Sequence, residues 1–307
     1  MSYIEYRKSL NQYYFVKQLR MCNRTKILKK YIGSKIISKG KYLLDNLDTI
    51  SHIEFEWRKQ FLPKNFIFSN DLLEKNELLA IQVLNVIEGR NNENEVFIEF
   101  AKEFIYNSNR IEGSRIPLQR VREIIETGDA SYSNRNEVKE VQNSILALEY
   151  VQKSFRFNIK SIKKLYSIIV KGLFREGNLP YPKGFKTEEN VVGNSPTTHP
   201  DNVEEELQKL LDWYLENKKK EHPLFLAFEF HRRFEKIHPF EDGNGRTGRM
   251  ILNKILLCNS YPPIIVFAQN TKAYFESFVK REKYLNHFLI EQSVKSYQLL
   301  HDIARKY

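Results

Sequence analysis

From about Leu43 to the C-terminus, apolar residues recur three and four positions apart in one segment after another. That periodicity commits most of the 307-residue chain to helices. Spacing and end signals predict helices over 53–60, 72–89, 95–112, 118–127, 135–153, 159–174, 203–217, 223–236 and 245–259, with two more near 272–288 and 290–306. Pro262-Pro263 separates the last pair from the helix before it, since proline removes an N–H and blocks the preceding turn. No repeat and no low-complexity linker interrupts the series, and no 18-residue apolar run reads as a membrane span. The expected class is mainly α.

The N-terminus is built differently. Residues 7–41 hold 11 Lys or Arg and no Asp or Glu. Removing those from the 49 basic residues leaves 38, equal to the 38 acids, so the whole net charge of +11 sits in this segment. The apolar stretches Tyr13-Tyr14-Phe15-Val16 and Ile27-Leu28 to Tyr31-Ile32-Gly33 read as short strands, with Asn23 near a turn. Basic strands carrying Tyr and Phe suit nucleic acid, through phosphate contacts and base stacking, or an acidic protein. A plain solvated face has the same composition. The expected organisation is a short basic β-containing module over 1–60, followed by a second domain over 61–307.

The chemistry concentrates at His238-Pro-Phe-Glu-Asp-Gly-Asn-Gly-Arg-Thr-Gly-Arg249, where a base, a carboxylate, a glycine-rich turn and two guanidinium groups fall within twelve positions. Gly243, Asn244 and Gly245 are residues that tolerate left-handed backbone angles, which turn successive N–H groups inward around an anion. Met250, Ile251, Ile255 and Leu256 follow at helical spacing, placing that nest on a helix N-terminus, where the dipole also favours a phosphate. Phe240 would anchor the loop to the core. Taken singly, His238 suits a satisfied surface or core position and Asp242 a helix cap. Their conjunction points to phosphate handling.

This run resembles the signature of the Fic family of AMP-transferases at every position, His-Pro-Phe-x-Asp/Glu-Gly-Asn-Gly-Arg-x-x-Arg. The lead-in His222-Pro223-Leu224, Ala227, His231, Phe234 and Ile237 is similar too, and the resemblance covers roughly residues 70 to 290. It implies a helical Fic core with a small β-hairpin flap and transfer of AMP from ATP to a Ser, Thr or Tyr hydroxyl of a protein. It also implies roles. His238 would be the base, Asp242 the Mg²⁺ ligand, and Gly243, Asn244, Gly245, Arg246 and Arg249 the holders of the triphosphate. A histidine titrates in the useful range, Mg²⁺ prefers oxygen ligands, and arginine's planar fork suits phosphate.

Two further stretches fit the resemblance. Ser108-Asn-Arg-Ile-Glu112-Gly113 matches the family's inhibitory pattern Ser/Thr-x-x-x-Glu-Gly/Asn. Phe97, Ile98, Phe100, Ala101, Phe104 and Ile105 lead into it with helical spacing, so Ser108 and Glu112 fall one turn apart and Gly113 is a natural stop. By resemblance, Glu112 pairs with Arg249 and fills space needed by the γ-phosphate, with the inhibitory helix, about 95–113, inside the same chain. The stretch from Lys183 to Asp201 brackets Val191-Val192-Gly193 with turn-formers and suggests a hairpin. In the resemblance it is the flap that docks the target through Lys186, Thr187, Val191 and Val192, although Lys186 stands where an arginine is common; a surface loop with no target role is the other reading.

The two cysteines, Cys22 and Cys258, give neither a disulfide framework nor a ligand cluster, and His231 with His238 makes no zinc set. The polar N-terminus lacks a secretory apolar region, so a cytoplasmic protein is expected. Self-modification and a homo-oligomer are left open. The alternative function is a nucleic-acid-associated regulator whose Fic domain serves nucleotide binding or removal of AMP. Transfer of UMP or phosphocholine is known for the same fold. Tyr274 reads as core more readily than as a nucleotide-base contact.

Overall fold

A computed structural model describes residues 2–63, 70–175, 179–192 and 195–307. Three antiparallel strands open the chain in the order β1 (Ser2–Arg7), β2 (Gln12–Met21) and β3 (Arg24–Gly33). The sequence reading missed β1, whose Ile4 and Tyr6 alternate with polar residues over too short a run. The turn falls at Cys22-Asn23, beside the expected Asn23. Phe15, Leu19 and Met21 of β2 are buried on one face, while β3 sits at an edge and exposes most of its side chains.

Helices follow: α1 (Lys39–Asp45), α2 (Leu47–Lys59), α3 (Asn70–Arg90), α4 (Glu93–Ile111), α5 (Leu118–Thr127), α6 (Arg135–Lys153), α7 (Ile159–Ile169), α8 (Val203–Asn217), α9 (Pro223–Ile237), α10 (Asn244–Cys258), α11 (Thr271–Val279) and α12 (Glu282–Lys306). Side-chain caps set several starts. Asn158 Oδ1 accepts from the Ser161 N–H at 2.8 Å, and His222 Nδ1 accepts from the Leu224 N–H at 3.3 Å ahead of Pro223 at the first helical position. Three expected ends are corrected, the first being that of the helix expected over 53–60, which begins at Leu47 because Ile50 is already on its buried face. The helix expected over 159–174 stops at Ile169, because the chain turns through Gly172 at φ 69°. The final break falls at Lys280-Arg281 rather than near 289, since Leu285, Phe288, Leu289 and Ile290 form one continuous buried stripe of α12.

The helix α9 is buried over most of its surface, with Leu224, Ala227, Phe228, Phe230 and Phe234 fully enclosed and only the face of Phe225, Arg232, Arg233 and Lys236 reaching solvent, which marks it as the central helix of the bundle. Its neighbour α10 runs from the other end of the loop over 238–243. A short hairpin, β4 (Val191–Val192) with β5 (Ser195–Pro196), pairs Val191 with Pro196. Gly193 of the expected flap lies outside the described residues.

The sheet is tied to the bundle by buried charge. Lys17 of β2 pairs with Glu54 of α2 at 2.6 Å and also bonds Asn85 of α3. Arg58 bridges Glu54 at 2.6 Å and Glu77 of α3 at 3.2 Å. Tyr261 donates to Glu77 at 2.6 Å and meets His222, the cap of α9, at 3.1 Å. Such ions survive burial because each has several partners.

Candidate active site

The site forms where α9 hands the chain to α10. His238 ends α9 in the left-handed conformation, φ 49° and ψ 62°, and its N–H closes on the Phe234 carbonyl at 2.9 Å. A non-glycine residue at such an angle is held there by its surroundings. Next in the loop, Phe240 is wholly buried and stacks on Tyr166 of α7, ring centroids 3.9 Å apart. Asn244 fastens the same residue: its Oδ1 accepts from the Phe240 N–H at 2.9 Å and its Nδ2 donates to the Phe240 carbonyl at 2.8 Å. Both ends of the Asn244 amide are thereby engaged in bracing the loop.

Gly243 takes φ 73° immediately before the first turn of α10, whose leading N–H groups have no intrahelical acceptor. Above them lies a carboxylate. A Cβ added to Gly245 would collide with Glu112 Oε1 and lie close to Arg249 Nη1. Arg249 donates from Nη2 to Glu112 Oε1 at 2.6 Å and to the Ser108 carbonyl at 2.9 Å, and from Nε to Ser108 Oγ at 3.1 Å. Ser108, Glu112 and Arg249 therefore meet at the helix N-terminus, with Glu112 following the last residue of α4 and Gly113 beyond it at φ 100°.

Arg246 is buried and directed the other way, toward Glu140 of α6 at 2.9 Å and Asp242 at 3.5 Å. Arg246 Nε and Arg249 Nη1 are buried without a hydrogen bond among the described residues, leaving a donor unspent on each guanidinium. Asp242 is partly open to solvent, and its Oδ1 accepts from the Gly243 N–H at 2.5 Å. Among the described residues no group of three His, Cys, Asp or Glu could hold a metal by itself. A lone carboxylate still fits Mg²⁺ bound together with phosphate oxygens, which this ion commonly uses.

Titration behaviour follows burial. Desolvation pulls His238 down to about 4, helped by Lys186 and opposed by the Glu235 carbonyl, so the ring is neutral at pH 7. Glu235 is pushed up to about 8 by burial, with Arg249 opposing and Glu112 adding to the rise. Burial raises the Tyr166 and Tyr181 hydroxyls to about 12, Asp242 adding to both.

The flap residues divide. The Lys186 ammonium is buried, donating to Asn190 Oδ1 at 2.7 Å, Thr197 Oγ1 at 2.6 Å and the Ile237 carbonyl at 3.3 Å, and desolvation lowers it to about 8. Its N–H reaches the Pro239 carbonyl at 2.9 Å, so the base of the expected flap is pinned beneath the loop that starts at His238. Thr187 and Val191 are exposed, and Val192 follows in β4. Tyr274 is buried beside Arg249, its hydroxyl 2.7 Å from His231 Nε2, and belongs to the core. Sequence reasoning passed over Glu140, Tyr166, Asn190 and Glu235. Of these only Glu235 had a signal: it lies three residues before His238 on the same helix end.

Helix, loop and hairpin in this arrangement define a Fic-fold protein. Residues 156–256 match the model of the Fic/DOC family. It is 29% identical over 231 residues to the protein adenylyltransferase Fic of Nematostella vectensis, an alignment spanning 71% of this chain and 52% of the relative. It is 31% identical over 179 residues to the Drosophila willistoni protein of the same name, across 56% of this chain and 35% of that one. The chain thus spans about half or less of these relatives. Among solved structures, a Fic domain-containing signaling protein from Bacteroides thetaiotaomicron superposes with a TM-score of 0.64 at 20% identity, over 74% of this chain and 98% of that one. Residues 134–508 of Fic-1 from C. elegans give 0.57 at 18% identity, over 87% and 99%. These two share the fold.

Proposed function

We propose that this chain is a protein adenylyltransferase held in check by Glu112, with residues 61–307 as its catalytic unit. The observation that carries the reading is the position of the Glu112 carboxylate. It lies against Gly245 at the start of α10 and is paired with Arg249, where an anionic substrate group gains most from free N–H groups and the helix dipole. The relatives' names support transfer of an adenylyl group.

In the proposed reaction the oxygen of a Ser, Thr or Tyr hydroxyl on a target protein attacks the α-phosphorus of ATP. Its proton passes to Nε2 of His238, the bond from the α-phosphorus to the bridging oxygen breaks, and pyrophosphate leaves. Nδ1 of His238 faces the Glu235 carbonyl at 3.3 Å, and a carbonyl only accepts, so the ring proton sits on Nδ1 and Nε2 is bare. The first turn of α10 and the unspent donors of Arg246 and Arg249 receive the phosphates. Asp242 would hold Mg²⁺, which would neutralise charge on the phosphate oxygens. The exposed strand edge of the flap near Thr187, Val191 and Val192 would pair with an extended target segment. Segments of this chain itself are included among such targets.

The test is incubation of wild type and Glu112→Gly with labelled ATP, Mg²⁺ and a cell lysate. Label on protein, stronger with the variant and lost with His238→Ala, supports the reading. Equal absence of label from all three refutes it. Asp242→Ala should need more Mg²⁺ for the same rate.

A second binding role falls to the basic sheet, on the evidence of one face. Register places Tyr3, Val16 and Lys29 side by side, then Glu5, Tyr14 and Tyr31, and Arg20 opposite Thr25. Tyr3 and Tyr31 are more than half exposed, and Glu5 is neutralised by Arg7 at 3.0 Å and Lys29 at 2.7 Å. Rings interleaved with cations suit single-stranded nucleic acid. Because the opposite face supplies Phe15, Lys17 and Leu19 to the interior, the test is Tyr31→Ala with Arg20→Glu rather than deletion of 7–41. Loss of a salt-sensitive shift of labelled RNA or DNA supports the role, and no shift with wild type refutes it.

A further inference from the structure

Three residues before His238, at the buried end of α9, lies a carboxyl that the reaction above does not use. Glu235 is 5% exposed and enclosed between two imidazoles. Its Oε2 is 3.6 Å from Nδ1 of His238 and its Oε1 is 3.8 Å from Nδ1 of His231. Oε1 is buried without a hydrogen bond, and a Cβ on Gly248 would run into it, so α10 closes the chamber from the far side. A carboxyl with an unsatisfied oxygen is a costly thing to keep inside a protein. Pure packing at this point is served better by leucine or methionine.

We propose that Glu235 is a positioning residue for the base: its backbone carbonyl holds the His238 ring through Nδ1, and its side-chain carboxylate stabilises the imidazolium that forms when Nε2 takes the substrate proton. This rests on the adenylyltransferase reading and adds a third member to the site, following the general logic by which a base is itself oriented by a further group. The need is physical. A histidine desolvated as His238 is resists charge, so a proton arriving at Nε2 requires a compensating anion close by. The hydrogen bond to the Glu235 carbonyl orients the ring but brings no charge. The side chain of the same residue is placed to bring it.

Every charged or titratable neighbour of this carboxyl bears on when it ionises. His231 and His238 flank it on its own side, Arg249 of α10 favours the carboxylate, and Glu112 beside α4 disfavours it. Tyr274 of α11 lies behind His231, and Lys186 of the flap approaches His238. Below about pH 8 burial keeps Glu235 protonated; above it the carboxylate is present. Removing Glu112 takes away a like charge and moves that transition to lower pH, so the release of inhibition and the strengthening of the base go together.

The experiment has one readout that needs no activity. With isotopically labelled histidine, the His238 imidazole signals, assigned by their loss in His238→Ala, are followed against pH. The expected result is an inflection near pH 8 in wild type, displaced downward in Glu112→Gly and absent in Glu235→Gln. A wild-type curve without that inflection, or one that persists in Glu235→Gln, overturns the proposal. Should Glu235→Gln fail to fold, the downward displacement in Glu112→Gly decides alone. In the second readout, transfer by Glu112→Gly is compared with Glu112→Gly, Glu235→Gln. Above about pH 8 the double variant should have a kcat lower by about 10–100-fold, less than the roughly 10⁴-fold seen on neutralising a triad carboxylate, with KM for ATP little changed and the pH dependence flattened. An unaltered kcat and profile overturn the proposal. Glu112→Gly that shows the inflection yet transfers no AMP leaves the pairing of Glu235 with His238 standing and removes the adenylyltransferase reading instead.

Discussion

Glu112 and Arg249, separated by 137 positions in sequence, form a 2.6 Å ion pair over the first turn of α10. Both ends of that pair are fixed. Arg249 is also bound by Ser108 through side chain and backbone, and Glu112 follows the last residue of a 19-residue helix. Glu112→Gly is expected to raise AMP transfer measurably, because it frees Arg249 and the space beside Gly245 together. Glu112→Gly combined with Arg249→Ala should lose that gain. Ser108→Ala removes a hydrogen bond worth roughly 0.5–1.5 kcal/mol and should activate only weakly. Labelled-nucleotide transfer at saturating ATP measures all three; a Glu112→Gly enzyme no faster than wild type would return the segment over 108–113 to an ordinary helix end.

His238→Ala should reduce transfer by about 10²–10⁴-fold while nucleotide affinity, read by calorimetry, stays close to wild type. Because burial holds the wild-type imidazole near 4, its neutral form persists across pH 5–8 and no loss of activity through His238 protonation is expected until the pH approaches 4. A rate that halves near pH 6.5 and follows His238 would show that the ring is solvated in the working enzyme.

Lys17→Ala should destabilise the whole protein, not only the sheet, by about 3 kcal/mol, since it leaves Glu54 buried with one cation fewer. Denaturant unfolding followed by amide exchange of β2 and by fluorescence of Trp57 and Trp213, both on helices, should shift together. Independent melting of the sheet would disprove the coupling through Glu54, Arg58 and Glu77.

Acid should unfold this protein through two histidines. Burial lowers both His222 and His231 from an ordinary 6.5 to about 3. The unfolded chain therefore binds protons more readily between those values, and stability present above about pH 6.5 is lost as pH falls toward 3. Glu235 has the opposite sign: its pKa, raised from 4.5 to about 8, costs stability progressively as pH climbs through that window. His222→Gln should flatten the acid side of a thermal-stability profile, and Glu235→Gln the alkaline side. Unchanged slopes would mean that these groups are hydrated.

Helices α5, α6 and α8 were legible to the residue because each begins or ends on a local signal, such as Asn134 capping α6 or Gly128 closing α5 at φ 73°. The loop from His238 to Arg249 was legible for a similar reason, its residue types being dictated by backbone angles and charge within twelve positions. Glu140 was not, because it meets Arg246 across 106 residues and nothing around it in sequence differs from a solvent-facing helix position. Lys186 illustrates the same limit. The resemblance offered it as a target contact, whereas its surroundings are three oxygens supplied by Asn190, Thr197 and Ile237. Local pattern sets angles and faces; it does not say which distant oxygen will be waiting.

The carboxylate beside Gly245 is supplied by the same polypeptide that carries the helix N-terminus it faces. On the proposed reading the inhibitor's effective concentration is then set by geometry and is the same at any level of expression. Dilution cannot relieve it, and no stoichiometry between two gene products has to be maintained. Relief then requires a movement that separates Glu112 from Arg249, and bending or fraying the last turn of α4 is the shortest such movement.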